Sequence, residues 1–249
     1  MSKFHNIVLL IILSITSTVY ADKSYDIFIE GCHLNNPISN QNNWHGIYKY
    51  NLNGKISYKL LKVKLSTSKK IDKIDGLIDF CVKSNQIKDA EKVQKNSGVL
   101  IKSSFLEEKF IEAAHLTKFS FNELSKIGRD YDRNFPRTEE SIKIKLGDLE
   151  YILNQTTNLN DNAVGPNHTL TLSHNNISQI LFNKHGNYEG TTDFYIIWAG
   201  DMDGDKKLDL LVNLPEHYAS PYHLRLYLSS FAKEGNHLSQ VKERLFFTR

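Results

Sequence analysis

The chain has 249 residues, 40% of them hydrophobic, which is enough for a real core in one large or two small domains. Its 31 Lys and Arg nearly balance its 28 Asp and Glu, so the formal charge of +3 gives no argument for nucleic acid as a partner. Its two cysteines show neither zinc-cluster spacing nor a C-x-x-C redox pair, which excludes both chemistries as readings of the sequence.

The chain opens like a secretory signal. Lys3 supplies the positive start, residues 7–15 are a nearly unbroken apolar stretch, and Val19-Tyr20-Ala21 is a small-residue cleavage site. Residues 1–21 are therefore read as a signal peptide, which predicts a periplasmic or extracellular mature chain. The apolar stretch is too short for a stable bilayer anchor. No later segment is apolar enough to span, so no membrane span is expected in the mature chain. In an oxidising compartment Cys32 and Cys81 are expected to form one disulfide, with two buried free thiols as the alternative.

Residues 22–135 form an expected N-terminal β-rich region. Residues 25–29 read as a strand, 33–43 as an Asn-rich loop, and 46–51 with 55–65 as a hairpin turning at Asn53-Gly54. The lysines of 59–73 mix with apolar residues at period two, as on an outward strand face. Residues 76–82 and 99–101 are further strands. Phe105 to Gly128 is the main helical expectation, from Phe105, Leu106, Phe110, Ile111 and Ala114 near helical spacing. Within it, Ser120 and Glu123 have a capping-box pattern. The charged stretch around Pro136 sets a soft boundary between the two halves.

Residues 136–249 form the expected C-terminal β domain. Strands are read at 141–146, 149–153, 168–173, 178–182, 194–198, 208–212, 224–228 and 245–247. Strands at roughly ten-residue intervals predict a mainly β fold, a sandwich or barrel, with one or two short helices and two small β-rich subdomains as a variant. No internal repeat is found, which argues against a propeller.

Between two of these strands lies the run Asp201-Met202-Asp203-Gly204-Asp205-Lys206-Lys207-Leu208-Asp209. Carboxylates fall at positions 1, 3, 5 and 9 of one loop, with the Lys207 carbonyl at position 7. Calcium takes six to eight hard oxygens, and this spacing lets one turn wrap them around it. An EF-hand would need flanking helices and a Glu at position 12, where the chain has Val212. The alternatives are a solvated acidic turn, or manganese or magnesium on the same oxygens.

The segment Trp198 to Val212 resembles the strand–loop–strand calcium signature of the FG-GAP repeats of integrin-type propellers. It is more similar still to a single-copy version near the C-terminus of secreted bacterial proteins. The resemblance implies Asp201, Asp203, Asp205, the Lys207 carbonyl and Asp209 as ligands of one Ca2+ ion. Where that family usually has Gly after the third acidic ligand, this chain has Lys206. A non-Gly residue in the left-handed region costs about 1–2 kcal/mol, so weaker binding than the family's is expected.

Nothing in the sequence specifies catalysis. His168 with His174, and His217 with His223, share a six-residue spacing but lack the third ligand a zinc site needs. There is no G-x-S-x-G elbow, no P-loop and no G-x-G-x-x-G. Trp44, Tyr48 and Tyr50 fit a β core or the lining of a groove. The expectation is a non-catalytic envelope module with structural calcium and a protein or glycan ligand. The alternative is a secreted hydrolase with a structural calcium site.

Overall fold

The computed structural model describes residues 25–34, 38, 42–52, 55–71, 78–84, 93–120, 140–158, 167–185, 195–214 and 222–246. The signal-peptide reading, the Asn53-Gly54 turn and His217 lie outside them. The strands are β1 (Asp26–Ile29), β2 (Gly31–Leu34), β3 (Trp44–Leu52), β4 (Lys55–Val63), β5 (Leu65–Ile71), β6 (Ile78–Ser84), β7 (Val93–Lys102), β8 (Lys109–Ala113), β9 (His115–Ser120), β10 (Glu140–Leu146), β11 (Leu149–Asn158), β12 (Asn167–His174), β13 (Ile177–His185), β14 (Tyr195–Asp201), β15 (Asp209–Asn213), β16 (Tyr222–Leu228) and β17 (Ser239–Phe246). A 3-10 turn, Ser229–Phe231, follows β16.

Nine strands form one nearly closed, barrel-like antiparallel sheet in the order β1-β7-β3-β4-β8-β14-β15-β16-β17. Its strands come from both sides of position 135, joined where β8 pairs with β14 at Gly200↔Ala113 and Asp201↔Glu112. Nine antiparallel neighbours leave the two end strands running the same way, so a closing ladder would have to be parallel, the slightly weaker arrangement. Among the described residues β1 and β17 share no ladder, and side chains hold the seam. Arg244 Nη1 donates to Asp26 Oδ2 at 2.8 Å, and the Lys242 Nζ lies 3.5 Å from Asp26 Oδ1.

A five-stranded sheet, β13-β12-β11-β10-β9, and a three-stranded sheet, β2-β6-β5, complete the fold. β12 and β13 turn through Asn175 (φ 47°) and Asn176 (φ 64°), the two positive values that a tight hairpin turn needs. Two cores result. Trp44, Ile47, Tyr48 and Tyr50 of β3 join Trp198, Leu211 and Leu226 in the barrel core. The five-stranded sheet packs Ile142, Ile144, Leu153 and Leu172 against Ile196, Leu210 and Val212, on the other face of β14 and β15. β15 is buried along its whole length because period-two alternation sends its residues into one core or the other.

No α-helix occurs among the described residues, which corrects the helix expected over Phe105–Gly128. Residues 105–108 are irregular, while 109–113 and 115–120 are β8 and β9. Residues 121–128 lie outside the described part. The apolar positions fitted both periods over so short a run. Ile111 is buried between exposed Phe110 and Glu112, and β8 pairs with β4 on one side and β14 on the other. Ladder partners of this kind outweigh the small differences in helix propensity. Cys32 sits directly opposite Cys81 in the β2–β6 pair, and no described cysteine is free. No described helix is long and apolar enough to cross a membrane.

Candidate metal centre

β14 ends at Asp201 and β15 begins at Asp209, so residues 202–208 bridge two neighbouring antiparallel strands. One apolar residue pins each end of the bridge: Met202 is fully buried in the barrel core and Leu208 in the second core. Gly200 is required just before the loop, because a Cβ there would lie 2.0 Å from the Glu112 carbonyl oxygen. Within the loop, Gly204 (φ 94°) and Lys206 (φ 64°) take left-handed conformations. The position the resemblance flagged is therefore left-handed and occupied by lysine.

The turn wires its carboxylates to its own backbone. The N–H groups of Gly204 and Lys206 donate to Asp201 at 2.6 and 3.1 Å. That of Met202 donates to Asp209 Oδ2 at 2.7 Å, and that of Lys207 to Asp205 Oδ1 at 2.8 Å. Ligand oxygens of Asp201, Asp203 and Asp209 all lie within 4.8 Å of one another and could hold a metal ion. Two like charges at that separation repel by about 3 kcal/mol at an effective dielectric of ~20. Asp209 is fully buried, the other two half-buried. Burial first, and Asp203 second, push the Asp209 carboxyl up to about 8, against the hydrogen bonds of Ser229 and Met202. The donors are all hard carboxylate oxygens, a set that suits calcium, magnesium or manganese rather than softer metals.

Asp205 stands outside that trio. Both its oxygens meet the Ser229 hydroxyl, at 2.9 and 2.8 Å. The same hydroxyl lies 3.0 Å from Asp209 Oδ1, which also accepts from the Ser229 N–H at 2.9 Å. A hydroxyl has one proton to give. Ser229 can therefore donate to only one of two ionised carboxylates; the other contact is favourable when that carboxyl is protonated. Ser230 Oγ donates to Asp203 Oδ2. Lys207 is exposed and enters this network through its N–H.

Ser229 and Ser230 carry no sequence signal, because they reach the loop from the far end of β16. Two tyrosines flank the loop for the same reason. Burial raises the Tyr25 hydroxyl, with Asp203 and Asp209 adding to it and Ser103 opposing. Tyr25 meets Phe231 edge-on at 5.7 Å. Burial likewise raises Tyr151, whose hydroxyl the Leu208 backbone hydrogen-bonds.

The remaining candidates lie elsewhere. Trp44, Tyr48 and Tyr50 are buried core residues. His174 stacks on Tyr151 at 4.4 Å, with its Nδ1 donating to the Glu150 carbonyl at 2.6 Å. His223 Nε2 contacts Glu243 Oε1, and Glu243 is also bound by Arg225 and by Gln240. A cleft lined by Ile38, Thr67, Ser68, Lys69, Phe80 and Val82 takes no residue from the loop or from these histidines.

No protein-family model, curated protein or solved structure matches the chain. Fold and site together define a mainly β, barrel-like protein with an acidic cluster able to hold a metal ion.

Proposed function

We propose that this is a secreted, non-catalytic module of the cell envelope whose Asp201–Asp209 loop holds one structural calcium ion. The reading rests on one observation: three carboxylates from the two ends of the loop are brought within 4.8 Å where both cores meet. A cation there would offset their repulsion and fix the β14–β15 register. Asp205 and the Lys207 carbonyl would complete the oxygen set that the loop spacing implies. The signal-like residues 1–21 support export, and the Cys32–Cys81 register supports a disulfide. Directly opposed residues in an antiparallel pair have Cα atoms about 4.5–5.5 Å apart, inside the range a disulfide spans. The ligand class stays protein or glycan.

Calcium titration by calorimetry, paired with melts in calcium and in chelator, tests this. Sites of this type bind at about 0.1–1 mM, so about 1 mM calcium should stabilise the protein by roughly 0.4–1.4 kcal/mol. Asp209→Asn should abolish both the heat of binding and the shift. A parent protein with no calcium heat and identical melts in both buffers would end the structural-calcium reading.

A further inference from the structure

We propose that His174 and His237 form a second, open metal site, which takes a borderline divalent transition ion, zinc or copper, on one ring nitrogen from each. His174 ends β12 and His237 lies just before β17, so only the fold brings the two together. Both are half-buried. Their ring centroids stand 5.5 Å apart, with the ring planes at 75°. Two imidazoles on one ion, with metal–nitrogen bonds of about 2.0–2.1 Å, hold their centroids about 5–6 Å apart.

Main-chain carbonyls set the tautomer of each ring. A carbonyl only accepts, so His174 Nδ1 carries a proton towards the Glu150 oxygen at 2.6 Å. Its Nε2 then holds the lone pair, and accepts from the Asn175 amide at 2.9 Å. In the same way His237 Nε2 donates to the Ile177 carbonyl at 3.1 Å, which leaves the lone pair on Nδ1. Metal-binding histidines are held like this: the second ring nitrogen donates to a carbonyl or carboxylate, which fixes the ring and raises the basicity of the first. Asn175 is an exposed turn residue, and rotation of its side chain frees His174 Nε2 for an ion.

The two rings are also braced. His174 stacks on Tyr151 at 4.4 Å, and His237 meets Tyr151 edge-on at 6.0 Å. Gln179 clamps the backbone at His237. Its Oε1 accepts from the His237 and Leu238 N–H groups at 2.8 and 3.0 Å, and its Nε2 donates to the Leu238 carbonyl at 2.7 Å. Imidazole suits zinc and copper, whereas the carboxylates of the acidic loop suit hard cations, so the two sites select different ions. No third His, Cys, Asp or Glu joins the pair among the described residues. A structural zinc site is closed by four protein ligands. This one leaves positions to water or to a donor from outside the protein, so its ion is exchangeable. The inference does not rest on the calcium reading.

The test is a zinc titration of the purified protein by calorimetry near neutral pH, in about 1 mM calcium to keep the acidic loop out of the count. The parent should bind one zinc ion. His174→Asn and His237→Asn should each weaken that binding at least about tenfold, since losing even a hydrogen bond behind a ligand costs about that much. Circular dichroism checks that both variants fold. Imidazole signals in the NMR spectrum of the parent give a readout that needs no variant. Zinc should shift those of His174 and His237 and leave in place that of His223, which contacts Glu243. A parent that shows no zinc heat and no shifted imidazole signal has ring packing alone there, and overturns the proposal. So does zinc binding that survives both substitutions, or shifts confined to other histidines, because the ion then sits elsewhere.

Discussion

Asp209 is where the burial cost and the chemistry of the loop meet. Its carboxyl is raised to about 8 in the metal-free protein by burial and by Asp203. An unfolded aspartate titrates near its ordinary value, so between about pH 4 and pH 8 the folded state binds the extra proton. Stability in chelator should therefore fall as pH rises through that window and level off above it. Calcium affinity should move the opposite way, increasing as the competing proton leaves. Melts in chelator from acid to mildly alkaline pH check this, with Asp209→Asn as the reference lacking the slope. A metal-free parent that gains stability towards pH 8 relative to that variant would contradict it. Lys206, at φ 64°, gives a second prediction. Lys206→Gly removes about 1–2 kcal/mol of left-handed strain and returns about 0.4–1 kcal/mol through the more flexible unfolded chain. The net should be a gain of about 0.5–1 kcal/mol in denaturant melts, with tighter calcium binding because an ammonium has left the loop. Stability equal to or below the parent's would show that the loop does not hold this conformation.

At the scale of elements, the loop depends on a neighbour that its own strands do not specify. β8 pairs with β14 at Gly200 and Asp201, and the backbones approach so closely that Gly200 has no room for a Cβ. The atom in the way is a main-chain carbonyl, so no rotamer change relieves it. Gly200→Ala should cost about 3 kcal/mol, as overpacking against fixed atoms does, and weaken calcium binding through Asp201. Denaturant unfolding and calorimetry of that variant check both; a parent-like melt would mean that β8 is not seated there. The helical reading of the β8 segment failed for the related reason that its partners, β4 and β14, are distant in sequence. By contrast, the β3–β4 and β10–β11 pairs and the separate strands β12 and β13 were legible, because alternation and turn residues are local signals. The loop itself was legible through its spacing. The seating of its buried end, by Ser229 from another connection, was not.

For the whole molecule, two cores share β14 and β15, and the acidic loop sits at their junction. The small β2-β6-β5 sheet is tied in by Leu65 and Val82 of the barrel core and by the opposed Cys32 and Cys81. A bridge there would close a loop of about fifty residues and contribute about 4 kcal/mol in the chain-entropy model. Thiol titration of the unreduced protein should find no free cysteine, and reduction should lower the melting temperature by on the order of 10 °C. Two titratable thiols before reduction would dismiss the bridge. By itself, the sequence determined the β class, most strands and the acidic loop, because period-two alternation, turn chemistry and ligand spacing act over a few residues; the left-handed place of Lys206 was implied only by the resemblance to the calcium-loop family. Only the tertiary structure decided that β8 is a strand, that Ser229 and Ser230 join the loop, and which three of the four carboxylates converge. Those outcomes depend on backbone partners and buried charges brought together from far along the chain, and a local pattern does not encode them.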